Sequence, residues 1–196
     1  EKFANNNSVN VFRGKEKDVL DRYFQCAKKY SFSTIVRITA DCPLIDPQIV
    51  DKVIEQFFSG NYDFATNTLT RTFPIGTDVE VFSFSALNKA WENAQLPSER
   101  EHVTPYLHNK ENFKIINVEN DKNISNLRLT VDRIEDFELI KQILNNISIN
   151  PIHLEDVLEL FSRKPELIEI NKHINHNEGF NKSLEEDKEF IKKQKR

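Results

Sequence analysis

Apolar residues in the first half of the chain alternate between strand-like runs and helix-like stripes. Residues 9–12 and 34–39 are rich in β-branched or aromatic side chains, which predicts two short strands. Asp46 and Pro47 predict the start of a helix, because aspartate caps and proline fits the first turn. An earlier helix is predicted from apolar positions that share one face, Val19, Leu20, Tyr23, Phe24 and Ala27.

The second half repeats this alternation. Further strands are predicted at residues 62–66, 78–84, 113–119 and 126–131. Ser85 is expected to cap one helix, and residues 98–101 have the spacing of a capping box that begins another. Two more helices are predicted at about 135–145 and at 153–161.

Strands that alternate with helices predict an α/β domain with a mainly parallel sheet. We assign residues 1–163 to this domain. Residues 164–196 are rich in lysine, glutamate and asparagine, and we interpret them as a polar, partly helical C-terminal arm.

Composition narrows the class of partner and the compartment. The formal net charge is −4 over 196 residues, so the chain lacks the basic surface expected of a nucleic-acid or anionic-membrane binder. No apolar run is long enough to span a bilayer, and no secretory signal opens the chain. Cys26 and Cys42 do not form a disulfide framework, so we expect both to be reduced thiols in a cytoplasmic protein.

Two acidic residues stand where predicted strands end. Asp41 follows the strand at 34–39, and Asp132 follows the strand at 126–131. Ligands of parallel sheets bind beyond the carboxyl ends of the strands, so both carboxylates are expected at one rim. Two carboxylates with water and phosphate oxygens suit Mg²⁺. The alternative is that each aspartate only caps the helix that follows it, although Asp46 is the better-placed cap after Asp41.

Other polar residues are candidate substrate contacts. Asp78 and Glu80 lie two positions apart on one face of a strand, where they could bind hydroxyl groups or form a solvated edge. Arg100 at a helix start could pair with a carboxylate, or could be an exposed surface residue. Spacing alone leaves these alternatives open.

Several motifs in order closely resemble the cytidylyltransferase-like family of spore-coat polysaccharide biosynthesis protein F. This family is related to acylneuraminate and 3-deoxy-manno-octulosonate cytidylyltransferases. The resemblance covers about residues 9–144 and rests on VFRGKEKDVLDRYFQCAKKY, IVRITADCPLIDPQIVDKVI, FPIGTDVEVFSFSALNKAW, EREHVTPYL and RLTVDRIEDFELIK. It implies a nucleotide-diphospho-sugar transferase fold, which is Rossmann-like and of the GT-A type.

The resemblance also implies a reaction and roles for residues. The expected activity is transfer of a nucleotide from a nucleoside triphosphate to a sugar or sugar acid with release of pyrophosphate, for surface polysaccharide or glycan biosynthesis, and CTP is the expected donor. Mg²⁺ is the expected cofactor and a homodimer the expected assembly. The implied metal and catalytic residues are Asp41 and Asp132. The implied substrate contacts are Asp78, Glu80, Arg100 and His102, and the residues bordering the nucleotide are Arg13, Asp21 and Arg22.

The chain departs from the family pattern at its beginning. The family opens with a glycine- and arginine-containing loop that binds the triphosphate, and no such loop occurs here. The chain has no methionine and only four glycines, which fits an N-terminally truncated domain. We therefore expect the activity in the intact protein and an inactive isolated chain. We also expect an exposed apolar sheet edge where the strand at 9–12 lacks neighbours. The alternatives are a glycosyltransferase that uses a nucleotide sugar and a non-catalytic module that lacks the loop.

Overall fold

The computed structural model describes residues 1–174 and 178–194, which form two units. The first unit contains Glu1–Ile35, Ser83–Phe113 and the C-terminal helix, and the second contains Val36–Phe82 and residues 114–174.

The helices and strands alternate through most of the chain. The described helices are α1 (Lys2–Asn6), α2 (Val19–Tyr30), α3 (Pro47–Ser59), α4 (Phe84–Asn93), α5 (Pro97–His102), α6 (Ile134–Asn146), α7 (Leu154–Arg163) and α8 (Glu178–Gln194). The described strands are β1 (Thr34–Arg37), β2 (Phe64–Thr66), β3 (Glu80–Ser83) and β4 (Ile115–Asn117). Short 3₁₀ helices occupy Pro105–His108 and Pro165–Ile170. None of the helices described here is long and apolar enough to cross a membrane.

The four strands form one sheet in the order β1–β3–β2–β4. β2 pairs antiparallel with β3, with Phe64 opposite Phe82, and parallel with β4, with Phe64 opposite Ile115. The α/β class is confirmed, and the sheet is mixed. β1 lies at its edge and leaves Val36 exposed.

The second unit is held together by the apolar faces of α3, α6 and α7. Val53, Ile143 and Val157 represent these three faces, and each is at most 1% exposed. Burying each such aliphatic side chain stabilises the fold by roughly 1.5–3 kcal/mol. This core fixes the helices that follow the acidic strand exits.

The first unit has an aromatic centre. Phe24 of α2 stacks on Trp91 of α4 with ring centroids 4.1 Å apart, and Leu20 and Leu87 are fully buried. The helical stripe predicted for α2 is therefore its packed face.

Three local predictions are wrong. Residues 9–12 form no strand: the Val9 amide donates to the Ala4 carbonyl of α1 at 2.9 Å, and the Val9 side chain is exposed. Ser83, not Ser85, caps α4 by accepting a hydrogen bond from the Ala86 amide at 3.1 Å. Residues 126–131 make only an isolated parallel bridge, between Arg128 and Ile75.

The helix at the predicted capping box also begins elsewhere. α5 starts at Pro97, and Glu99 closes its first turn by accepting hydrogen bonds from the amides of Gln95 and Leu96, both at 3.0 Å. Glu101 instead accepts a hydrogen bond from the Ser183 hydroxyl at 3.1 Å.

The segment predicted as a polar arm contains buried residues. Leu167 and Asn171 are buried in the second unit, and Asp187 of α8 accepts hydrogen bonds from the amide and hydroxyl of Ser98 in the first. The boundary between residues 163 and 164 stays a prediction. Residues 175–177 and 195–196 of this segment lie outside the described residues.

Candidate active site

Main-chain contacts join the two segments of the second unit that carry Asp41 and Asp132. The carbonyl oxygen of Asp41 accepts a hydrogen bond from the Val131 amide at 2.9 Å and another from the Thr130 hydroxyl at 3.0 Å. Because Asp132 directly follows Val131, the two predicted metal ligands belong to adjacent stretches of backbone. That the two carboxylates bind one metal ion stays a prediction.

The loop that ends at Gly76 packs against residues 127–130, the segment that precedes Asp132. The Ile75 amide donates to the Leu127 carbonyl at 3.0 Å, and the Ile75 carbonyl accepts from the Leu129 amide at 2.7 Å. Gly76 has φ +95°, and a Cβ atom there would lie 2.4 Å from the Thr130 nitrogen. Only glycine permits both this backbone conformation and this close approach. The loop leads directly into Asp78 and Glu80.

Both acids of this segment have arginine partners. Asp78 binds Arg71 through two hydrogen bonds of 2.5 and 2.8 Å, and Glu80 binds Arg37. Burial alone would lower the pKa of Arg71, but its hydrogen bonds to Asp78 and the charge of that carboxylate raise it. The site thus contains two arginines that spacing did not single out. Arg71 stands 7 positions before Asp78, but Arg37 is 43 positions from Glu80, so no local signal in the sequence could have paired Arg37 with its acid.

The Arg37 guanidinium binds Glu80 through Nη1 but leaves its Nε donor without a partner among the described residues. Its Nε atom is buried and makes no hydrogen bond to any residue that the structure describes. A polar substrate group could satisfy this donor, because buried N–H groups are normally paired.

Cys42 lies within this acidic environment and is not a nucleophile. Burial, followed by the charges of Asp41 and Asp78, raises the pKa of the Cys42 thiol to about 11. Its sulfur lies 3.3 Å from the Thr39 hydroxyl and 3.7 Å from Asp41 Oδ1. A thiol with this pKa is protonated at neutral pH and is therefore a poor nucleophile.

Asp132 forms an ion pair with Arg128, which also binds the buried Asp136. Arg128 Nη2 donates to Asp132 Oδ2 at 2.7 Å, while the Asp132 side chain remains 51% exposed. The same guanidinium binds the fully buried Asp136. Spacing did not single out Arg128 or Asp136 as parts of the site.

Asp41 and Asp132 fit a divalent cation that takes only part of its ligands from protein. Mg²⁺ is usually bound by one or two carboxylates, with water and substrate phosphates completing the shell. Within residues 1–174 and 178–194, no cluster of three or more histidine, cysteine or acidic side chains has metal-binding geometry. Carboxylate oxygens are ligands that suit Mg²⁺, and the assignment of Asp41 and Asp132 as its ligands stays a prediction.

The remaining predicted residues lie in the first unit. Arg100 is not free for a substrate carboxylate, because it already binds both oxygens of Asp18 at 2.9 and 2.6 Å. His102 Nε2 lies 2.9 Å from the Ser183 hydroxyl. Their assignment as substrate contacts stays a prediction.

The residues predicted to border the nucleotide are also in the first unit. Asp21 accepts hydrogen bonds from Gln25 at 3.1 Å and from Trp91 Nε1 at 2.8 Å, and the Gln25 bond is the largest cause of its lowered pKa. Arg22 Nη1 donates to the Lys15 carbonyl oxygen at 3.5 Å. The exposed Arg13 forms an ion pair with Glu1, with 3.0 Å between Nη1 and Oε2. Their role stays a prediction.

The mixed α/β architecture is that of the nucleotide-diphospho-sugar transferase-like fold, the fold of a class of nucleotidyltransferases. The chain belongs to the cytidylyltransferase family, which it matches over residues 1–189. The family resemblance expected from the motifs is thereby confirmed.

Individual relatives agree with this assignment. The chain is similar to the solved structure of a cytidylyltransferase from Leptospira borgpetersenii serovar Hardjo-bovis, with a TM-score of 0.82 and 39% identity over 89% of this chain and 74% of that one. It is 37% identical to an uncharacterized protein of Methanocaldococcus jannaschii over 87% of this chain and 70% of the relative. It is 29% identical to spore coat polysaccharide biosynthesis protein SpsF of Bacillus subtilis over 80% of this chain and 66% of the relative.

Proposed function

We propose that the protein transfers the cytidylyl group of CTP to a sugar or sugar acid and releases pyrophosphate. The product would be an activated sugar for surface polysaccharide or glycan biosynthesis, as the name of the Bacillus relative suggests. The observation that supports the proposal is the main-chain contact between Asp41 and Val131, which joins the backbone segments that carry Asp41 and Asp132 in a member of the cytidylyltransferase family. We further propose that the protein works in the cytoplasm.

The chemistry requires positioning and charge compensation more than covalent catalysis. A sugar oxygen attacks the α-phosphorus of the triphosphate, and pyrophosphate leaves with the bonding electron pair. Asp41 and Asp132 would hold Mg²⁺, which supplies compensation for negative charge on the phosphate oxygens.

Other residues of the second unit would orient the acceptor. We propose that Asp78 and Glu80 accept hydrogen bonds from sugar hydroxyls. Arg71 and Arg37, bound to these acids, would fix their orientation, and the unused Nε of Arg37 would donate to the substrate.

The test is pyrophosphate release from CTP with candidate sugar and sugar-acid acceptors. We expect Asp41→Asn and Asp132→Asn each to lower the rate about 100-fold or more, because metal compensation supplies several kcal/mol of transition-state stabilisation. Asp51→Asn changes an exposed aspartate of α3 and is the matched control. Unchanged rates in both site variants would refute the metal assignment.

The assay also tests the alternatives predicted from sequence. It is run on this chain and on the protein encoded with the sequence upstream of Glu1, because the isolated chain is expected to be inactive. Turnover of a preformed nucleotide sugar without any triphosphate would instead indicate a glycosyltransferase. No turnover of either substrate by the extended protein would favour a non-catalytic module.

A further inference from the structure

Asp136 is a fully buried acid that caps α6 and also binds the backbone amide of Asp132. Its Oδ2 accepts hydrogen bonds from the amides of Asp132 and Arg133, both at 3.0 Å. Arg128 donates to both of its oxygens at 2.8 Å. A simple cap at the start of α6 requires only the Arg133 contact. The contact with the Asp132 amide additionally fixes the backbone of a residue in the candidate site.

Arg128 connects this buried acid to the exposed one. Its Nη2 donates at the same time to Asp136 Oδ2 and to Asp132 Oδ2, while its Nε donates to Asp136 Oδ1. A planar guanidinium can serve two carboxylates in this way, whereas a lysine ammonium cannot reproduce the fork. Asp132 is therefore held by its backbone through Asp136 and by its side chain through Arg128.

Asn171 completes the network from a distant part of the sequence. Its side-chain amide donates to Asp136 Oδ1 at 2.9 Å and to the Arg128 carbonyl at 3.0 Å. Asn171 is itself buried, at 3% exposed. It follows the 3₁₀ helix Pro165–Ile170, so this part of the C-terminal segment contributes directly to the support of Asp132.

We propose that Arg128, Asp136 and Asn171 are positioning residues that fix the Asp132 carboxylate for divalent-cation binding. The proposal rests on the proposed function, because it takes Asp132 as a metal ligand. Residues behind metal ligands orient them, and changing such residues typically costs about 10–100-fold in metal affinity. The competing explanation is that the network only stabilises the start of α6.

Manganese binding separates these explanations without requiring turnover. Mn²⁺ is titrated into the purified protein, alone and with CTP, and free Mn²⁺ is measured by electron paramagnetic resonance. We expect Arg128→Lys to weaken Mn²⁺ binding about 10–100-fold, because the charge remains but the fork is lost. Asn171→Ala removes donors without removing a charge and should weaken binding in the same direction. It provides the test if Arg128→Lys fails to fold.

A matched control isolates stability from positioning. Ile143→Ala removes a fully buried apolar side chain from the same helix α6, two turns after Asp136. We expect it to lower the thermal midpoint while leaving Mn²⁺ affinity unchanged. In the active protein, Arg128→Lys should raise the KM for the metal more than it lowers kcat at saturating metal.

The outcomes distinguish failure of this inference from failure of the proposed function. If Asp132→Asn weakens Mn²⁺ binding but Arg128→Lys and Asn171→Ala bind like the unchanged protein, the positioning role is wrong and the metal assignment survives. If Asp132→Asn itself binds Mn²⁺ normally, both are wrong. Weakened binding in Ile143→Ala equal to that in Arg128→Lys would also overturn the inference, because general destabilisation would explain both.

Discussion

Asp46 stabilises the beginnings of two helices with a single carboxylate. Its oxygens accept hydrogen bonds from the Gln48 amide of α3 at 2.8 Å and the Leu154 amide of α7 at 2.7 Å. The His153 Nδ1 atom lies 3.0 Å from the same carboxylate. Because the first amides of a helix lack intrahelical partners, this one buried acid supports two elements of the second-unit core.

The pair between His153 and Asp46 makes stability depend on pH. The hydrogen bond to Asp46, followed by the charges of Asp46, Asp156 and Glu155, raises the pKa of His153 above the ordinary histidine value of 6.5. A raised folded-state pKa contributes stability that is complete below the unfolded-state pKa and is lost as pH rises through the folded value. We expect the free energy of unfolding in urea to fall as pH rises above about 6.5. His153→Gln should flatten this dependence.

The control for this measurement is His173→Gln, which replaces an exposed histidine of the same unit. It should retain the pH dependence of the unchanged protein. Equal slopes for His153→Gln and the unchanged protein would contradict the assignment.

At the scale of elements, the cap of α3 could be predicted because Asp46 and Pro47 act within one turn. Partners far apart in sequence could not. Arg37 and Glu80 are 43 positions apart, and Arg128 and Asn171 are also 43 apart, so no local pattern pairs them. The acids at strand exits were visible because each stands alone after an apolar run. Their arginine and asparagine supports depend on tertiary packing.

The strand predicted at residues 126–131 illustrates the same limit. Its apolar composition was identified correctly, but its partner is the irregular loop at Ile75 and Gly76 and not a strand. A regular ladder therefore does not form, although the segment is buried and ends at Asp132. The pattern of apolar residues predicted that this segment is buried, but it did not predict which segment pairs with it.

Gly76→Ala tests the importance of this loop contact. We expect a loss of at least about 2 kcal/mol in the free energy of unfolding, because alanine is strained at positive φ and its Cβ would overlap backbone atoms of Leu129 and Thr130. Urea unfolding provides the measurement. Gly14→Ala is the matched control, since its nearest neighbour is the Arg22 side chain at 3.2 Å and its φ is not positive. A Gly76→Ala protein as stable as the control would show that the close approach is unimportant.

At the scale of the whole molecule, α6 presents an apolar surface opposite its buried face. Ile134, Phe137 and Leu144 are 70%, 51% and 54% exposed. Their spacing places them on one side of the helix together with Lys141. Glu138 lies beside this surface in the first half of the helix. The charge order is therefore self-complementary for two antiparallel copies, since Glu138 of one helix would face Lys141 of the other.

This surface gives the predicted homodimer a specific test. A two-fold interface uses the same patch on both copies, so one charged substitution is introduced twice and should break it. We expect sedimentation equilibrium to give about 46 kDa, twice the chain mass of 23.0 kDa, and Phe137→Glu to give the monomer mass. Phe58→Glu, which changes a 63% exposed phenylalanine of α3, should remain dimeric. A dimer that survives Phe137→Glu would exclude α6 as its interface, and a monomer at every concentration would exclude the dimer itself.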